Sequence, residues 1–339
     1  MRILLVSSMW PGPADPDYGV FVAQVAERLL GRGHEILPAV VDHRGGSPSK
    51  QLRLARQAVA QALRGRPDVV YAHYLVPAGA VAAAAAIAAR APLVLTAHGR
   101  DVRNVAERRA IRVATSAAVR RARTVIAVSG WLRDDLCRQL PAARGKTEVI
   151  DCGVDLARFV PRDRDEARAA LGLRDLPGPL VAFVGGLEER KNVVRLRDAV
   201  LAIPDATLLV VGDGPLRNEL CASDKIRPVG RVPHDRVPDY IAAADVLALP
   251  SLVEPFGQVL LEAMAMERPV LATSVGGPAE FVTPEAGALA DPYDVASIRA
   301  GLERAIALGV PNPAGRRVAG EHDLDAQVAR IEAVLQGRE

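Results

Sequence analysis

The stretch Asp245-Val-Leu-Ala-Leu-Pro-Ser-Leu-Val-Glu-Pro-Phe-Gly-Gln-Val-Leu-Leu-Glu262 reads as three elements in a row. An aliphatic run ends at Pro250. A tight Pro-Phe-Gly turn follows Glu254, and an apolar helix starts after it, with Glu262 expected two turns in. Strand, turn and helix N-terminus in this order form the unit of a parallel α/β sheet. A helix N-terminus exposes unpaired N–H groups and the positive end of its dipole, so it can hold a phosphate. Glu254 and Glu262 can each accept hydrogen bonds from sugar hydroxyls. A diphosphate between two polyols is a nucleotide-sugar. A lone Glu pair at this spacing is usually one solvated and one structural residue, so the rest of the chain has to decide.

The same alternation runs through all 339 residues. Expected strands in the first half are Arg2–Ser7, Glu35–Val41, Val69–Ala72, Leu93–Thr96, Thr124–Val128 and Glu148–Ile150. In the second half they are Leu180–Val184, Thr207–Val211, Ile226–Val229, Val246–Leu249 and Val270–Thr273. Helical patterns between them include Phe21–Gly31, Gln51–Arg64, Ala78–Arg90, Glu107–Arg123, Gly130–Gln139, Val237–Ala243, Gly257–Met266 and Val295–Ala307. Continuous apolar strands separated by helices imply parallel sheets covered on both faces. The pattern restarts after a charged, Pro/Gly-rich break near Asp151–Gly178. The expected fold class is therefore α/β: two doubly wound, Rossmann-like domains facing a central cleft. The boundaries read as 1–155, 156–322 and a C-terminal helix in 323–339 that can return to the first domain.

Composition narrows the function. Lys+Arg 43 against Asp+Glu 40 leaves a net charge of only +3, which argues against a dedicated nucleic-acid binder. Cys137, Cys152 and Cys221 are far apart, form no CxxC pair, and suit a reducing cytoplasm better than a zinc site or disulfide framework. The apolar start Met-Arg-Ile-Leu-Leu-Val-Ser is too short for a signal-peptide core, and Ala78–Ala89 is too short to span a bilayer.

In open α/β sheets ligands bind at the carboxyl ends of the strands, and candidate residues cluster there. Ser7-Ser8 lead through a Pro/Gly/Asp loop to Tyr18-Gly19-Val20-Phe21, where glycine allows close backbone approach. His98 lies just past the run Leu93–Thr96, and His73 is a weaker candidate on the same edge. In Phe183-Val-Gly-Gly-Leu-Glu-Glu-Arg-Lys-Asn192, glycines at a strand end are followed by Lys191 at a helix start, which suits a diphosphate. Val211-Gly-Asp-Gly-Pro215 is another sharp turn. Asp-x-Asp pairs at Asp15/Asp17, Asp163/Asp165 and Asp323/Asp325 close no strand, so a metal–diphosphate site has little support.

Taken in order, these signals resemble the retaining glycosyltransferases of family four, which have the GT-B fold. The resemblance runs from about Met1 to Val282. It rests on Leu29-Leu-Gly-Arg-Gly-His34, His98-Gly-Arg-Asp101, Val128-Ser129, Cys152-Gly-Val-Asp155 with Phe159, Gly185 with Lys191, Val211-Gly-Asp-Gly-Pro215, Glu254-Pro-Phe-Gly with Glu262-Ala, and Gly276-Gly-Pro-Ala-Glu280. Met9-Trp-Pro, Tyr18-Gly-Val-Phe21 and His73-Tyr-Leu-Val-Pro-Ala-Gly79 resemble bacterial members that build teichuronic-acid-type polysaccharides.

The resemblance implies a metal-independent hexosyltransferase that uses a UDP- or GDP-linked sugar. Transfer goes with retention through a front-face, oxocarbenium-like step. It further implies that Lys191 neutralises the donor diphosphate, Glu254 holds hydroxyls of the transferred sugar and His98 stands at the reaction centre. The backbone at Phe256, Gly257, Gln258 and Val259 covers phosphates and sugar, Glu262 holds the ribose, Arg231 and Val232 face the base, and Gly19, Gly185 and Gly212 approach the diphosphate. The family usually has Arg after the first glycine, where this chain has Gly186, so one of two cations on the leaving diphosphate is missing. Arg190 is near in sequence, but on a helix it would point about 100° from Lys191. Arg100 and Arg231 are other sources of charge.

Two other readings stand beside glycosyl transfer: a nucleotide-sugar epimerase on the same plan, and a donor-binding subunit without catalysis. The acceptor is expected to be a hydroxyl on a glycan, a lipid-linked glycan or a small metabolite. From Arg100 to Lys146 there are twelve basic and four acidic residues, against +3 for the whole chain. That segregation suits peripheral contact with an anionic membrane.

Overall fold

The eleven expected apolar runs and one further strand pair into two six-stranded parallel sheets in the computed structural model, which describes residues 1–45, 48–176, 178–220 and 223–338. Unit 1 comprises Met1–Cys152 with Asp325–Glu339, and unit 2 comprises Gly153–Leu324. In chain order unit 1 has β1 (Arg2–Ser7), α1 (Val20–Gly31), β2 (Glu35–Val40), α2 (Pro48–Gly65), β3 (Val69–His73), α3 (Ala78–Ala89), β4 (Leu93–Ala97), α4 (Arg100–Glu107), α5 (Arg109–Arg121), β5 (Thr124–Ala127), α6 (Gly130–Gln139) and β6 (Thr147–Val149). Unit 2 has α7 (Arg164–Ala170), β7 (Leu180–Val184), α8 (Val193–Leu201), β8 (Thr207–Val211), β9 (Ile226–Gly230), α9 (Val237–Ala243), β10 (Val246–Leu249), α10 (Gln258–Ala265), β11 (Val270–Thr273), β12 (Gly287–Ala290), α11 (Val295–Ala307) and α12 (Pro313–Glu321). The last helix is α13 (Leu324–Gln336). Cys221 lies outside the described residues.

The sheet order is β2-β1-β3-β4-β5-β6 in unit 1 and β12-β11-β10-β7-β8-β9 in unit 2. Every residue of β3, β4, β8, β10 and β11 is buried, as continuous Val/Leu/Ala runs require when helices cover both faces. Each order reverses once, between β1 and β3 and between β7 and β10. These two places are where the sheets open a crevice at their carboxyl edges.

Polar side chains fix the ends. Ser129, Asp163, Asp294 and Asn312 cap α6, α7, α11 and α12 by accepting backbone N–H groups of the first turn. Asp245 accepts from Arg164, Arg168 and the Leu180 amide, which ties α7 to the start of β7 and β10. Arg268, 1 % exposed, spends its guanidinium on the carbonyls of Arg162, Ala242 and Met266. The helix α13 packs within unit 1: Glu332 holds His34 at 2.8 Å and Arg32 at 3.1 Å, and Arg330 donates to the Val149 carbonyl.

The structure departs from the sequence reading in several elements. The expected helix Glu107–Arg123 runs only from Arg109 to Arg121, and Arg108, in an extended conformation (φ −139°, ψ 117°), parts it from a helix before it. The chain already turns helical at Arg100, after Gly99 at φ 111°. The break read at Asp151–Gly178 contains α7. The strand β12, Gly-Ala-Leu-Ala, was not visible as a strand. Its Gly287 lies so close to the Val270 carbonyl that a Cβ would sit 2.3 Å away. Strands β2 and β6 end one residue earlier than read.

Candidate active site

In unit 2 the two strands at the reversal carry the charged residues. Lys191 follows β7 and Glu254 follows β10. The Lys191 ammonium donates to Glu254 Oε2 at 2.6 Å, and Ser251 Oγ donates to the same oxygen at 2.8 Å. The two side chains are 15 % and 9 % exposed, so the pair is largely withdrawn from water.

The pair is held by backbone lacing between the loops. Asn192, buried and left-handed at φ 60°, donates to the carbonyls of Pro250 and Pro292, and the Leu252 amide donates to the Arg190 carbonyl. On the other side Glu254 N–H donates to Val275 and Gly277 N–H donates to Glu254. Gly276, at φ 118°, approaches so closely that a Cβ would stand 2.0 Å from the Glu254 carbonyl oxygen. That explains the glycine pair in Gly276-Gly-Pro-Ala-Glu280.

The helix α10 starts at Gln258 behind Gly257, which is left-handed at φ 91° and offers no side-chain cap. The amides at Gly257, Gln258 and Val259 therefore open the helix with its positive end. The Phe256 ring is buried against Phe281 and His322, which leaves its backbone as the part that can meet a ligand. Glu262 is one turn into α10, not two. It is 7 % exposed, and burial pushes its carboxyl up to about 7 against the pull of Arg158.

The glycine edge of unit 2 is as close-packed as the sequence implies. Gly185 N–H donates to Val211, and Gly212 N–H donates to Gly230. A Cβ on Gly212 would stand 1.9 Å from the Gly185 carbonyl oxygen. Val232 turns its side chain onto the cluster around Leu180, Leu209, Val211 and Ala243, so its backbone alone remains for a base. Arg190 is placed differently from the reading. It lies in a 3-10 turn, Glu189–Lys191, and its guanidinium donates to Glu188 at 2.7 Å. Gly186 has no positive φ, and a Cβ there would meet only Glu188 Oε1 at 3.5 Å within van der Waals range.

In unit 1 His98 follows β4, and Gly19 opens α1. Gly19 is left-handed at φ 76°, and a Cβ would come within 2.6 Å of the Met9 backbone. Its packing accounts for the glycine without any ligand. The His98 ring lies against Phe21, Tyr74 and His73, with centroids 4.9, 4.7 and 5.3 Å away. Burial drives its pKa down to about 3. Below it Asp101, 2 % exposed, accepts the backbone amides of Leu75, His98, Gly99 and Val102. One carboxylate thus joins the loops after β3 and β4. Burial pushes its pKa up, and the four amides oppose that.

Sequence reasoning assigned no role to Asp101, Asn192 or Ser251, although all three stood inside quoted stretches. Their signal is short polar side chains beside strand-end glycines, where backbone groups need partners. Asp15 and Asp17 are both held by Arg44, at 2.8 Å each. No group of three or more His, Cys, Asp or Glu among the described residues is arranged to hold a metal.

Comparison with known proteins places this geometry. The profile "Glycosyltransferase Family 4" matches residues 18–158, and "Glycosyl transferases group 1" matches 178–307. The chain belongs to the family four glycosyltransferases, and its two sheets are those of the GT-B fold. It is 36 % identical over 233 residues to a Bacillus subtilis protein described as a teichuronic acid biosynthesis glycosyltransferase, TuaC; the match covers 66 % of this chain and 58 % of that one. It is 34 % identical over 273 residues to D-inositol 3-phosphate glycosyltransferase of Salinispora tropica, covering 69 % of this chain and 56 % of that one. The match thus spans little more than half the length of each relative. Among solved structures, sucrose-phosphate synthase of Thermosynechococcus elongatus superposes with a TM-score of 0.82 at 22 % identity, covering 99 % of this chain and 98 % of that one. Anabaena HepE in complex with UDP-glucose superposes at 0.76 and 23 % identity, with 99 % of each chain covered.

The buried ion pair makes a prediction about stability. Lys191→Met leaves the Glu254 carboxylate without its counter-charge and should cost on the order of 1–3 kcal/mol. Adding Glu254→Gln should restore most of it. Urea denaturation of the two single variants and the double variant checks this. Additive losses would show that the pair is not coupled in the fold.

Proposed function

We propose that the protein moves a hexose from a nucleotide-sugar to a hydroxyl acceptor, with retention and without a metal. The observation that carries this reading is the Lys191–Glu254 pair at the strand reversal of unit 2, beside the uncapped start of α10. Breaking a sugar–diphosphate bond puts negative charge on the leaving oxygen and positive charge on the sugar. Lys191 and the α10 amides stabilise the first. Preorganised charge of this kind is usually the largest catalytic contribution. Glu254 takes sugar hydroxyls through Oε1, since Oε2 is held by Lys191 and Ser251. Glu262 takes the ribose hydroxyls, and His98 is proposed to donate to a hydroxyl of the substrate. The names of the relatives support glycosyl transfer, and the UDP-glucose in HepE makes UDP-glucose the first donor to try.

The acceptor is proposed to be lipid-linked and met at an anionic membrane surface. The structure trims the basic segment before supporting it. Arg121, Arg123 and Lys146 donate to carbonyls within unit 1, and Arg112 donates to Gln139. Arg103, Arg108, Arg109, Arg120 and Arg144 remain exposed, with Val113 64 % exposed among them. No helix among the described residues is long and apolar enough to cross a membrane.

The direct test is release of nucleoside diphosphate from a panel of UDP-, GDP- and ADP-sugars with hydroxyl acceptors, and the anomeric configuration of the product by NMR. Tight donor binding with no turnover would favour the non-catalytic reading, and interconversion of the donor sugar would favour an epimerase. Glu262 adds a pH prediction. If its carboxylate holds the ribose, UDP binding weakens as pH falls through about 7, because the proton must leave. Below that point the loss approaches tenfold per pH unit, and Glu262→Gln removes this component. Titration calorimetry from pH 6 to 8.5 reads it, and equal pH dependence in both proteins would remove Glu262 from the role.

Gly186→Arg restores the usual second cation on backbone that accepts a side chain. Donor affinity should rise roughly tenfold, the worth of one charged hydrogen bond. Unchanged affinity in a folded variant would mean that the position does not face the diphosphate. For the membrane, co-sedimentation with vesicles containing anionic lipid should succeed at low salt and fade at physiological salt. Arg108→Glu with Arg109→Glu should abolish it, since each basic residue near the leaflet contributes about 1 kcal/mol. Binding that ignores both changes would exclude this face.

A further inference from the structure

His73 is the least explained polar residue at the carboxyl edge of unit 1. It ends β3, is 2 % exposed, and its Nδ1 lies 3.1 Å from Nε2 of His98. The two rings are nearly parallel, with an interplanar angle of 18° and centroids 5.3 Å apart, and meet edge to edge through these nitrogens. Its other nitrogen, Nε2, is sealed and has no hydrogen-bond partner among the described residues. His73 lines a mostly apolar space with Phe21, Tyr71, Ile126 and Ile331, whose wall also carries Asp151 and Cys152, neither of them bonded to Nε2. Its hydroxyls, those of Tyr71 and Thr96, are bonded to each other at 2.9 Å.

Two neutral imidazoles in contact share one proton. Burial keeps both rings neutral, with His73 well below the ordinary histidine value and His98 near 3. If His98 supplied the shared proton from Nε2, His73 would have to carry its own proton on the sealed Nε2. That would leave a buried N–H with no acceptor, which folded proteins rarely tolerate. If His73 supplies the proton from Nδ1, its buried Nε2 is bare and no donor is stranded. The His98 proton is then on Nδ1. That nitrogen has no hydrogen bond among the described residues, and His98 is only half-buried.

We propose that His73 is a positioning residue that locks His98 into the Nδ1–H tautomer, so that His98 meets its ligand as a hydrogen-bond donor and not as a base. The edge-to-edge contact with His73 and the ring contacts with Phe21 and Tyr74 hold the donor's direction. The role at the reacting sugar rests on the proposed glycosyl transfer; the tautomer does not. A neutral donor suits a site where positive charge grows on the sugar, because it can bind a hydroxyl oxygen without placing a second cation beside it. His73 thereby acts on the reaction through a ring it never exposes.

The test separates the two parts. Long-range ¹⁵N–¹H NMR of the full chain at pH 7, with ¹⁵N-histidine, should show the proton of His98 on Nδ1 and that of His73 on Nδ1. A proton on Nε2 of His98 overturns the proposal, whatever the activity. His73→Leu should release His98 toward the Nε2–H form and lower kcat roughly tenfold or more while leaving the donor KM nearly unchanged, as loss of an orienting partner does. His73→Asn, which keeps a donor near the Nδ1 position, should recover much of kcat. Unchanged kcat in folded His73→Leu, or equal losses in both variants, overturns the positioning role. Absence of any transferase activity in the wild type with the tautomer as stated would instead count against the proposed function alone.

Discussion

The candidate site of unit 2 depends on one short ion pair between neighbouring strands. Lys191 and Glu254 are 63 residues apart in sequence and meet only because β7 and β10 lie side by side at the reversal of the sheet. Taking both charges out of water is expensive, and the return depends on good geometry. Much of the surrounding sequence supplies it. Asn192 pins the Lys191 loop to Pro250, Ser251 holds the carboxylate, and Gly276 lets the next loop close against Glu254. In the resting state the pair is neutral, so a cation is stored at the strand end without a bare charge. On the proposed function, an arriving diphosphate competes with a carboxylate for an ammonium that is already placed.

Unit 1 solves the same placement problem with neutral groups. Its reversal lies between β1 and β3, and the loops after β3 and β4 are drawn together by the Asp101 carboxylate on four amides. The functional candidate above it, His98, is kept uncharged by burial among rings. One unit thus stores charge and the other presents polarity without charge.

Much of the fold and part of the site were legible because they depend on periodicity and on glycine. Buried parallel strands announce themselves as continuous Val/Leu/Ala runs, and strand-end glycines mark where backbones touch. What stayed hidden depends on tertiary partners. The strand β12 is four residues, three of them Gly or Ala, that pair with β11 beside them. Helix α5 separates from α4 at Arg108, with no Pro or Gly to mark it. Arg190 looks like a spare cation in the sequence, but Glu188 two residues earlier takes it. His73 and His98 are 25 positions apart, and nothing local predicts that their ring nitrogens meet.

The glycine at position 186 takes on a different meaning in this setting. Its backbone is relaxed and the space beside it is open, so the residue is not required by the fold, unlike Gly212 or Gly276. The place where a second cation would project is bordered by Glu188, which already carries Arg190. The local arrangement is therefore a neutral pair again, 37 % and 45 % exposed, and far wetter than Lys191–Glu254. Solvent screens such a pair strongly, so it can open at little cost when a stronger anion arrives. Arg190, four residues after this glycine, is thus paired with Glu188 in an exposed contact that another anion can displace.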